Sequence, residues 1–367
     1  IGGGLAGLAL SIQSAKAGFK VILFEKEQYP FHRVCGEYIS LESWDFLERL
    51  GLSLTELDLP VIRNFLVTAL NGHSLKQELD LGGFGISRYS LDSALYTLAL
   101  QAGVLVETSV KVEEVNFTDN QFIIQTAKGT IASSVAVGSF GKRSNLDIKW
   151  KRPFIQGKQK QLANFIGVKY HIQLDWPGDL IALHNFKDGY CGISAIEDGK
   201  ICLCYLTTAR NLKQHGTIAA MEANILKANP HLKLILEKAV HLYEAPVTIA
   251  QVSFEKKSLV ENHVLMVGDA SGMIAPLCGN GMSMALRGSV LAFEAIELFL
   301  RNNISRAAME QQYQQTWNKA FAQRLMTGRW VQGFFGKSWM TNAFIALLKP
   351  FPFLVRAVMK QTHGERF

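Results

Sequence analysis

The residues best suited to chemistry come first in the chain, in the run Ile1-Gly2-Gly3-Gly4-Leu5-Ala6-Gly7. Gly2, Gly4 and Gly7 have the spacing G-x-G-x-x-G, in which glycines make a tight turn and let the backbone approach a pyrophosphate. Apolar residues then recur at helical spacing, so a helix N-terminus would offer free N–H groups to a phosphate. Glu25 ends the next short apolar strand, and its carboxylate can accept hydrogen bonds from a ribose diol.

An isolated glycine motif also occurs in ordinary glycine-rich loops. Here the helix, the strand and the terminal Glu25 follow in register, which favours dinucleotide binding. The chain starts at Ile1 without a methionine, and the strand that should precede the glycines is nearly all missing. We therefore expect a few N-terminal residues to be lacking.

A second candidate site follows the buried-strand pattern of residues 264–267, which stops at Gly268-Asp269. An Asp at the carboxyl end of a parallel strand, beside a glycine-rich turn, lies where α/β sheets bind ligands. Its carboxylate could bind a sugar-alcohol hydroxyl, and the N–H groups of residues 279–282 could face a ring carbonyl. The alternative is an Asp that caps its own turn. Arg33, in the loop after Glu25, could pair with a pyrophosphate or remain a surface charge.

Composition bounds the class of protein. A chain of 367 residues is long enough for two domains, and 48% hydrophobic residues indicate a folded globular protein. The net charge of +7 looks modest and spread out, and no basic run alternates with aromatics, which argues against nucleic acid as a partner. Five scattered cysteines argue against a disulfide framework and for a reducing compartment; they are Cys35, Cys191, Cys202, Cys204 and Cys278. We predict no metal site and no transmembrane helix.

The elements that must position these residues form an α/β pattern. Helices are predicted from Leu5 to Ala17, Leu41 to Leu50 and Ser90 to Gln101, with Ser40 and Ser90 as caps. Residues 163–207 are rich in strand and hairpin signals, and the chain is helical from Gly281 nearly to its end.

We divide the chain into three parts. The nucleotide-binding domain takes residues 1–60, 85–150 and 255–300; the substrate domain takes 61–84 and 151–254; the helical C-terminal region takes 301–367.

Taken together, the motifs resemble those of a known family. The glycine motif with Glu25, Arg88 before Leu91-Asp92, and Gly268-Asp269 with its glycine-rich loop resemble the FAD-dependent oxidoreductases of the para-hydroxybenzoate hydroxylase fold. Cys35-Gly36-Glu37 resembles the geranylgeranyl reductase-like branch, and the resemblance covers residues 1 to about 300. It implies a Rossmann-like FAD-binding domain interleaved with an α+β substrate domain whose sheet is mostly antiparallel.

The resemblance also implies roles for residues. Glu25 would hold the adenosine ribose, Arg33 and Arg88 the pyrophosphate region, and Asp269 the ribityl chain. Cys35 would lie close to the isoalloxazine, as a candidate proton donor or a packed thiol. The remaining cofactor-binding candidates are Gly2, Gly4, Leu5, Ala6, Gly7, Lys26, Gly36, Gly268, Pro276, Gly279, Asn280, Gly281 and Met282. Tyr190 and His184 are candidates for lining the substrate.

Three departures favour a reductase or dehydrogenase. Aromatic hydroxylases of this fold usually have His where this chain has Gly272, and an Asp-Gly pair where it has Phe140-Gly141. The W-x-W-x-I-P motif of tryptophan halogenases is absent. No second glycine motif exists for a nicotinamide, so NAD(P)H is only one candidate electron donor.

The function expected from the sequence is therefore FAD-dependent reduction of a carbon–carbon double bond in a lipophilic prenyl or polyketide-like substrate. A flavin-dependent monooxygenase and a non-catalytic flavoprotein are the alternatives. We expect a cytoplasmic protein. Residues 339–359 are rich in Phe, Leu and Ile with interspersed cations, so two short helices packed on the FAD domain and a weak peripheral contact with membrane are both open.

Overall fold

The structure is a computed structural model that describes residues 1–156, 165–252, 254–274, 279–333, 337–362 and 364–367. The helices are α1 Leu5–Lys16, α2 Trp44–Leu50, α3 Arg88–Gln101, α4 Asn145–Lys149, α5 Pro153–Gln156, α6 Ala209–His215, α7 Ile218–Asn224, α8 Pro230–Lys238, α9 Gly281–Leu300, α10 Arg306–Gln332, α11 Ser338–Leu348 and α12 Pro352–Thr362. The strands are β1 Ile22–Phe24, β2 Tyr38–Ser40, β3 Val61–Thr68, β4 Ser74–Gly85, β5 Leu105–Glu107, β6 Val112–Thr118, β7 Gln121–Thr126, β8 Gly129–Ser133, β9 Val137–Gly138, β10 Phe165–Gln173, β11 Leu180–Phe186, β12 Gly189–Ala195, β13 Ile201–Thr208, β14 Val240–His241, β15 Val247–Val252, β16 Val260–Glu261 and β17 Val264–Met266.

The nucleotide-binding part is built on short parallel strands. β1 pairs in parallel with β5, and β17 pairs in parallel with β9. Ile1 and Gly2 connect the two pairs, since the Gly2 N–H donates to the Phe24 carbonyl and the Ser139 N–H donates to the Ile1 carbonyl. Helices α1, α3 and α9 pack together beside these strands and bury Leu8, Ile12 and Leu286. A Rossmann-like layer therefore holds the glycine motif at the strand ends.

A larger sheet forms the second part. Its strand order is β14-β10-β13-β12-β11-β3-β4-β2, and β15 also pairs with β10. All pairings are antiparallel except that of β11 with β3. This mixed α/β architecture confirms the predicted fold class. β2 belongs to this sheet through its pairing with β4, although our division of the chain placed it within residues 1–60.

The two faces of the large sheet have different neighbours. One face packs in a core cluster with residues of the α6–α8 segment and buries Phe186, Ile193 and Tyr205. The other face carries Lys169 on β10 and Cys204 on β13, which are cross-strand partners. Because side chains alternate along a strand, a residue's position in the register decides which of these environments it meets.

The C-terminal region, residues 301–367, contains α10 and two shorter helices, α11 and α12, which are separated around Pro350 as the prolines predicted. Ile345 of α11 and Val355 of α12 are buried in one cluster with Val67 and Leu183 of the large sheet. Among the described residues, no helix is both long and apolar enough to cross a membrane.

The predicted cap of α3 is wrong by one turn. The helix begins at Arg88, and the Ser87 hydroxyl accepts the Ser90 N–H at 3.1 Å. A serine hydroxyl can cap a helix at either position. Ser87 is the cap because its backbone is extended, as an N-cap requires, whereas Ser90 already lies within the helix.

Candidate active site

The glycine motif positions the start of α1 by close packing. A Cβ on Gly2 would come within 2.6 Å of the Ser139 carbonyl oxygen, and its φ of +102° favours glycine. A Cβ on Gly7 would overlap the carbonyl oxygen of Gly2. A Cβ on Gly4 would meet only the Arg88 guanidinium, at 3.8 Å, among the described residues. Two of the glycines therefore serve packing, whereas Gly4 leaves open space at the helix end.

The N-terminus of α1 suits an anion. Gly4 is its N-cap, and no side chain of the described residues caps the first turn. Leu5 and Ala6, which open the helix, are buried. The orphan N–H groups of a helix start, with the positive end of the helix dipole, form a binding site for phosphate.

Glu25 lies against the same turn. It is buried, and its Oε2 accepts the Gly3 N–H at 2.9 Å. The Arg33 guanidinium lies 3.0 Å from the same oxygen and 3.1 Å from Asp92 Oδ2, so it bridges two carboxylates. Lys26 does not join this cluster; its side chain is exposed and lies 3.4 Å from Glu27.

Asp92 is a residue of this cluster that the sequence prediction did not assign to the site. It is fully buried and accepts two hydrogen bonds from Arg88, both at 2.7 Å. Burial lowers the pKa of Arg88, but Asp92 reverses this and raises it above its ordinary value. The i, i+4 spacing of Arg88 and Asp92 on α3 was the signal for this pair. Asp92 therefore keeps a permanent cation beside Gly4.

The Gly268-Asp269 turn meets α1 from the other side. Gly268 has a φ of +61°, and a Cβ there would lie 3.2 Å from the Cβ of Ala6. Lys257 Nζ donates to the Asp269 carbonyl at 2.7 Å and to the Lys142 carbonyl at 2.9 Å. Burial lowers the pKa of Lys257 to about 8. Lys257 was not predicted, because nothing near it in sequence marks it.

The glycine-rich loop after this turn reaches the large sheet. Gly279 has a φ of +66°, and a Cβ there would meet the ring of Tyr38 at 3.1 Å. Asn280 is fully buried, and α9 begins at Gly281 with Met282 buried behind it. The predicted cofactor residue Pro276 lies outside the described residues.

The Cys35 loop lies directly on the second face of the sheet. The Cys35 carbonyl accepts a hydrogen bond from the Cys202 thiol at 3.4 Å, and the Gly36 carbonyl accepts one from Ser194 at 3.4 Å. Cys35 is half-buried, and its thiol lies within electrostatic reach of Arg88 and Lys169. At Gly36 an added Cβ would meet none of the described atoms within 4 Å. The loop therefore has open space at Gly36, while the Cys35 side chain packs against the core cluster that contains Leu5 and Ile39.

Glu37 anchors the loop through a buried ionic cluster. It adopts a φ of +56°, which is uncommon for a non-glycine residue. Its Oε1 accepts hydrogen bonds from Lys169 Nζ at 2.6 Å and from the Arg88 N–H at 2.9 Å. His171 Nε2 lies 2.5 Å from its Oε2. Lys169 and His171 are buried as well.

The ionisation of this cluster follows from its contacts. Burial raises the pKa of Glu37, but His171 and Lys169 outweigh that and hold it below its ordinary value. Burial lowers the pKa of Lys169, but Glu37 raises it above its ordinary value. Both pKa shifts favour the ionised form, so Glu37 and Lys169 form a charged pair. Sequence reasoning quoted Glu37 in a motif but did not foresee its partners.

Glu37, His171 and Cys202 also have the spacing of metal ligands, with ligand atoms within 4.8 Å of one another. Lys169 already supplies the positive charge at this carboxylate. A second cation there would face like-charge repulsion. We therefore assign the cluster to an ion pair.

The two predicted substrate-lining residues lie on opposite faces. Tyr190 pairs with Leu206 and lies in the cluster of Val67 and Leu183, on the face that carries the Cys35 loop. His184 lies on the other face, buried, with its Nδ1 2.9 Å from the Thr68 hydroxyl. Burial lowers its pKa to about 3.

Comparisons with known proteins agree with this architecture. The model of the NAD(P)-binding Rossmann-like domain matches residues 1–36. "Conditioned medium factor receptor 1" of Dictyostelium discoideum is 24% identical over 346 residues, 88% of this chain and 67% of that protein. Digeranylgeranylglycerophospholipid reductase of Methanocaldococcus jannaschii is 24% identical over 351 residues, 89% of this chain and 83% of that protein. The structure of the flavin-dependent brominase Bmp2 superposes with a TM-score of 0.79 at 19% identity, covering 99% of this chain and 92% of that one. The predicted Rossmann-like FAD-binding fold is thereby confirmed.

Proposed function

We propose that this protein is an FAD-dependent oxidoreductase that reduces a carbon–carbon double bond in a lipophilic, prenyl or polyketide-like substrate. The observation that carries the proposal is the meeting of two loops over one face of the large sheet. The Gly279 loop packs on Tyr38, and the adjacent residues 35–37 lie on strands β10, β12 and β13. Ligand sites occur preferentially at interfaces between domains, and these loops join the nucleotide-binding part to the large sheet.

The residues present fit FAD. The open face of Gly4, the uncapped start of α1 and Arg88 would receive the pyrophosphate. Glu25 would bind the adenosine ribose, and Asp269 would bind the ribityl chain. When bound, FAD supplies the hydride chemistry of the reaction.

The protein side chains then have distinct tasks. Cys35 is the candidate proton donor because it is half-buried, adjoins the open space at Gly36 and lies near two cations. The Glu37 cluster positions Cys35 by fixing the conformation of residues 35–37. Val67, Leu183 and Tyr190 on the same face are covered by Ile345 and Val355 of the C-terminal helices, so a substrate beside the Cys35 loop would border an apolar cluster, which favours a lipophilic molecule over a charged one.

A flavin-dependent monooxygenase is the second candidate. The observation in its favour is the fold shared with the brominase over 99% of this chain. At 19% identity this likeness concerns the fold, and one fold hosts several flavin chemistries.

The test is anaerobic reduction of the purified full-length protein, followed by reoxidation with a panel of prenyl and polyketide compounds. We expect at least one alkene to reoxidise the flavin without oxygen and to appear as its saturated product. Oxygen uptake coupled to a hydroxylated product would replace the reductase by the monooxygenase. A flavin that no donor reduces would indicate a non-catalytic flavoprotein.

A variant tests the role of Cys35 in the same assay. Cys35→Ser should slow substrate-dependent reoxidation about 100-fold or more while the FAD content stays unchanged. Cys191→Ala is the matched control, because Cys191 is buried among the residues of the opposite face of the sheet. Unchanged reoxidation in Cys35→Ser would leave Cys35 with a packing role only.

A further inference from the structure

We propose that the turn between α11 and α12 docks on an anionic lipid surface. The first observation is the distribution of charge. Residues 311–364 contain seven cationic side chains and no Asp or Glu. The chain has 38 Lys and Arg against 31 Asp and Glu, so removing these seven leaves the remainder neutral. The net charge of this segment therefore equals the basic excess of the whole chain, although residues 142–160 are also basic, with seven Lys or Arg against one Asp.

The second observation is a cluster of exposed apolar side chains within this segment, next to three of its cations, Lys349, Arg356 and Lys360. Leu347 is 66% exposed, Phe351 43%, Phe353 64% and Leu354 39%, all within eight residues around Pro350. Single exposed hydrophobic residues are normal on a soluble protein, but a contiguous group indicates an interaction surface. The rings of Phe351 and Phe353 are 6.0 Å apart, so they form one patch.

Helices α11 and α12, which flank the apolar turn, pack against the large sheet and α10. Ile345 precedes the turn and Val355 follows it, and both are buried against the large sheet. Gln361 of α12 accepts a hydrogen bond from Thr327 of α10 at 3.4 Å. The apolar turn is therefore held in place by α11 and α12, which pack beside the sheet face that we propose to bind substrate.

The chemistry of the turn selects one occupant. Lys349 adjoins the exposed aromatics, Lys360 lies on α12, and the exposed Arg356 has only a long contact of 4.0 Å with Asp80 among its described ion pairs. Aromatic and Leu side chains that enter the acyl boundary, with cations left at the headgroups, are the pattern of interfacial membrane binding. The flanking Lys349 and Lys360 argue against a protein partner, because lysine is depleted in protein–protein interfaces, and a nucleic acid would not require an apolar tip. The docking itself does not depend on the proposed reaction.

The experiment is co-sedimentation of the full-length protein with vesicles of phosphatidylcholine, with and without about 30 mol% phosphatidylserine. We expect the protein to sediment with the anionic vesicles at low salt, and less at high salt, where cation–headgroup attraction is screened. Phe351→Ser/Phe353→Ser should reduce vesicle partitioning at least about tenfold. Lys349→Gln/Lys360→Gln should remove most of the preference for phosphatidylserine.

The matched control is Leu100→Ser/Leu234→Ser, which changes two exposed apolar residues on α3 and α8. It should sediment like the wild type. Equal flavin content of all variants shows that they are folded. Vesicle sedimentation does not require catalytic turnover, so the docking proposal can fail while the proposed reductase activity stands, and the reverse. Full binding by Phe351→Ser/Phe353→Ser, no binding by the wild type, or self-association lost in that variant would each overturn the proposal.

Discussion

Replacing Glu37 by glutamine should lower the free energy of unfolding by about 3–5 kcal/mol, because it leaves the Lys169 ammonium buried without a counter-charge. The two groups are 2.6 Å apart, with side chains 0% and 1% exposed, so solvent does not reduce their interaction. A typical domain has a stability of only about 5–15 kcal/mol. The substitution should therefore produce a large shift in urea-induced unfolding.

A double-mutant cycle separates the pair from its surroundings. We expect Glu37→Gln/Lys169→Met to be more stable than the sum of the two single changes by about 2 kcal/mol. Lys128 and Glu107 provide the control, since they are also 2.6 Å apart but their side chains are 64% and 27% exposed. Their coupling should be about 0.2–1 kcal/mol. Additive losses at Glu37 and Lys169, or a coupling no larger than the control, would refute the reasoning.

The pH dependence of the same cycle has a defined sign. The pKa of Glu37 is held below its ordinary 4.5, so its contribution is present above that pH and is lost as pH falls through the folded value. The pKa of Lys169 is raised above 10.5, so its contribution is present below that pH and is lost as pH rises through the folded value. The coupling should therefore fall off at acid pH below 4.5 and at alkaline pH above 10.5, and it is measured at one fixed pH between these values because His171 also contacts Glu37.

Further predictions concern the cofactor site. Glu25→Gln should weaken FAD retention by about 10- to 100-fold in dialysis followed by flavin fluorescence, because a charge-assisted hydrogen bond is lost; full retention would contradict the ribose assignment. Lys257→Met should release FAD more readily than the control Lys256→Met. The Lys257 ammonium donates to carbonyls of two loops, at Asp269 and Lys142, whereas Lys256 is exposed. Gly4→Ala should reduce FAD binding with little change in the thermal midpoint, whereas Gly7→Ala should lower both, because its Cβ overlaps backbone. Equal thermal midpoints for these two variants would disprove the distinction.

Local features of the chain could be predicted from the sequence. The turn–helix–strand unit that ends at Glu25 depends on glycine spacing and helical periodicity, which are properties of neighbouring residues. The break between α11 and α12 follows from Pro350 and Pro352, because proline interrupts a helix wherever the rest of the fold lies. Arg88 and Asp92 lie one helical turn apart, so their pairing was also within reach of sequence.

Tertiary structure alone decided which distant residues meet. Glu37 contacts Lys169 and His171 across more than 130 positions, because the Cys35 loop folds onto β10, and no local spacing encodes that contact. The position of His184 away from the Cys35 loop depends on strand register, since a shift of one residue exchanges the two faces of a strand. Long-range packing also decides the partners of Lys257. This buried ammonium donates to the carbonyls of Asp269 and Lys142, and no local spacing in the sequence marks that meeting.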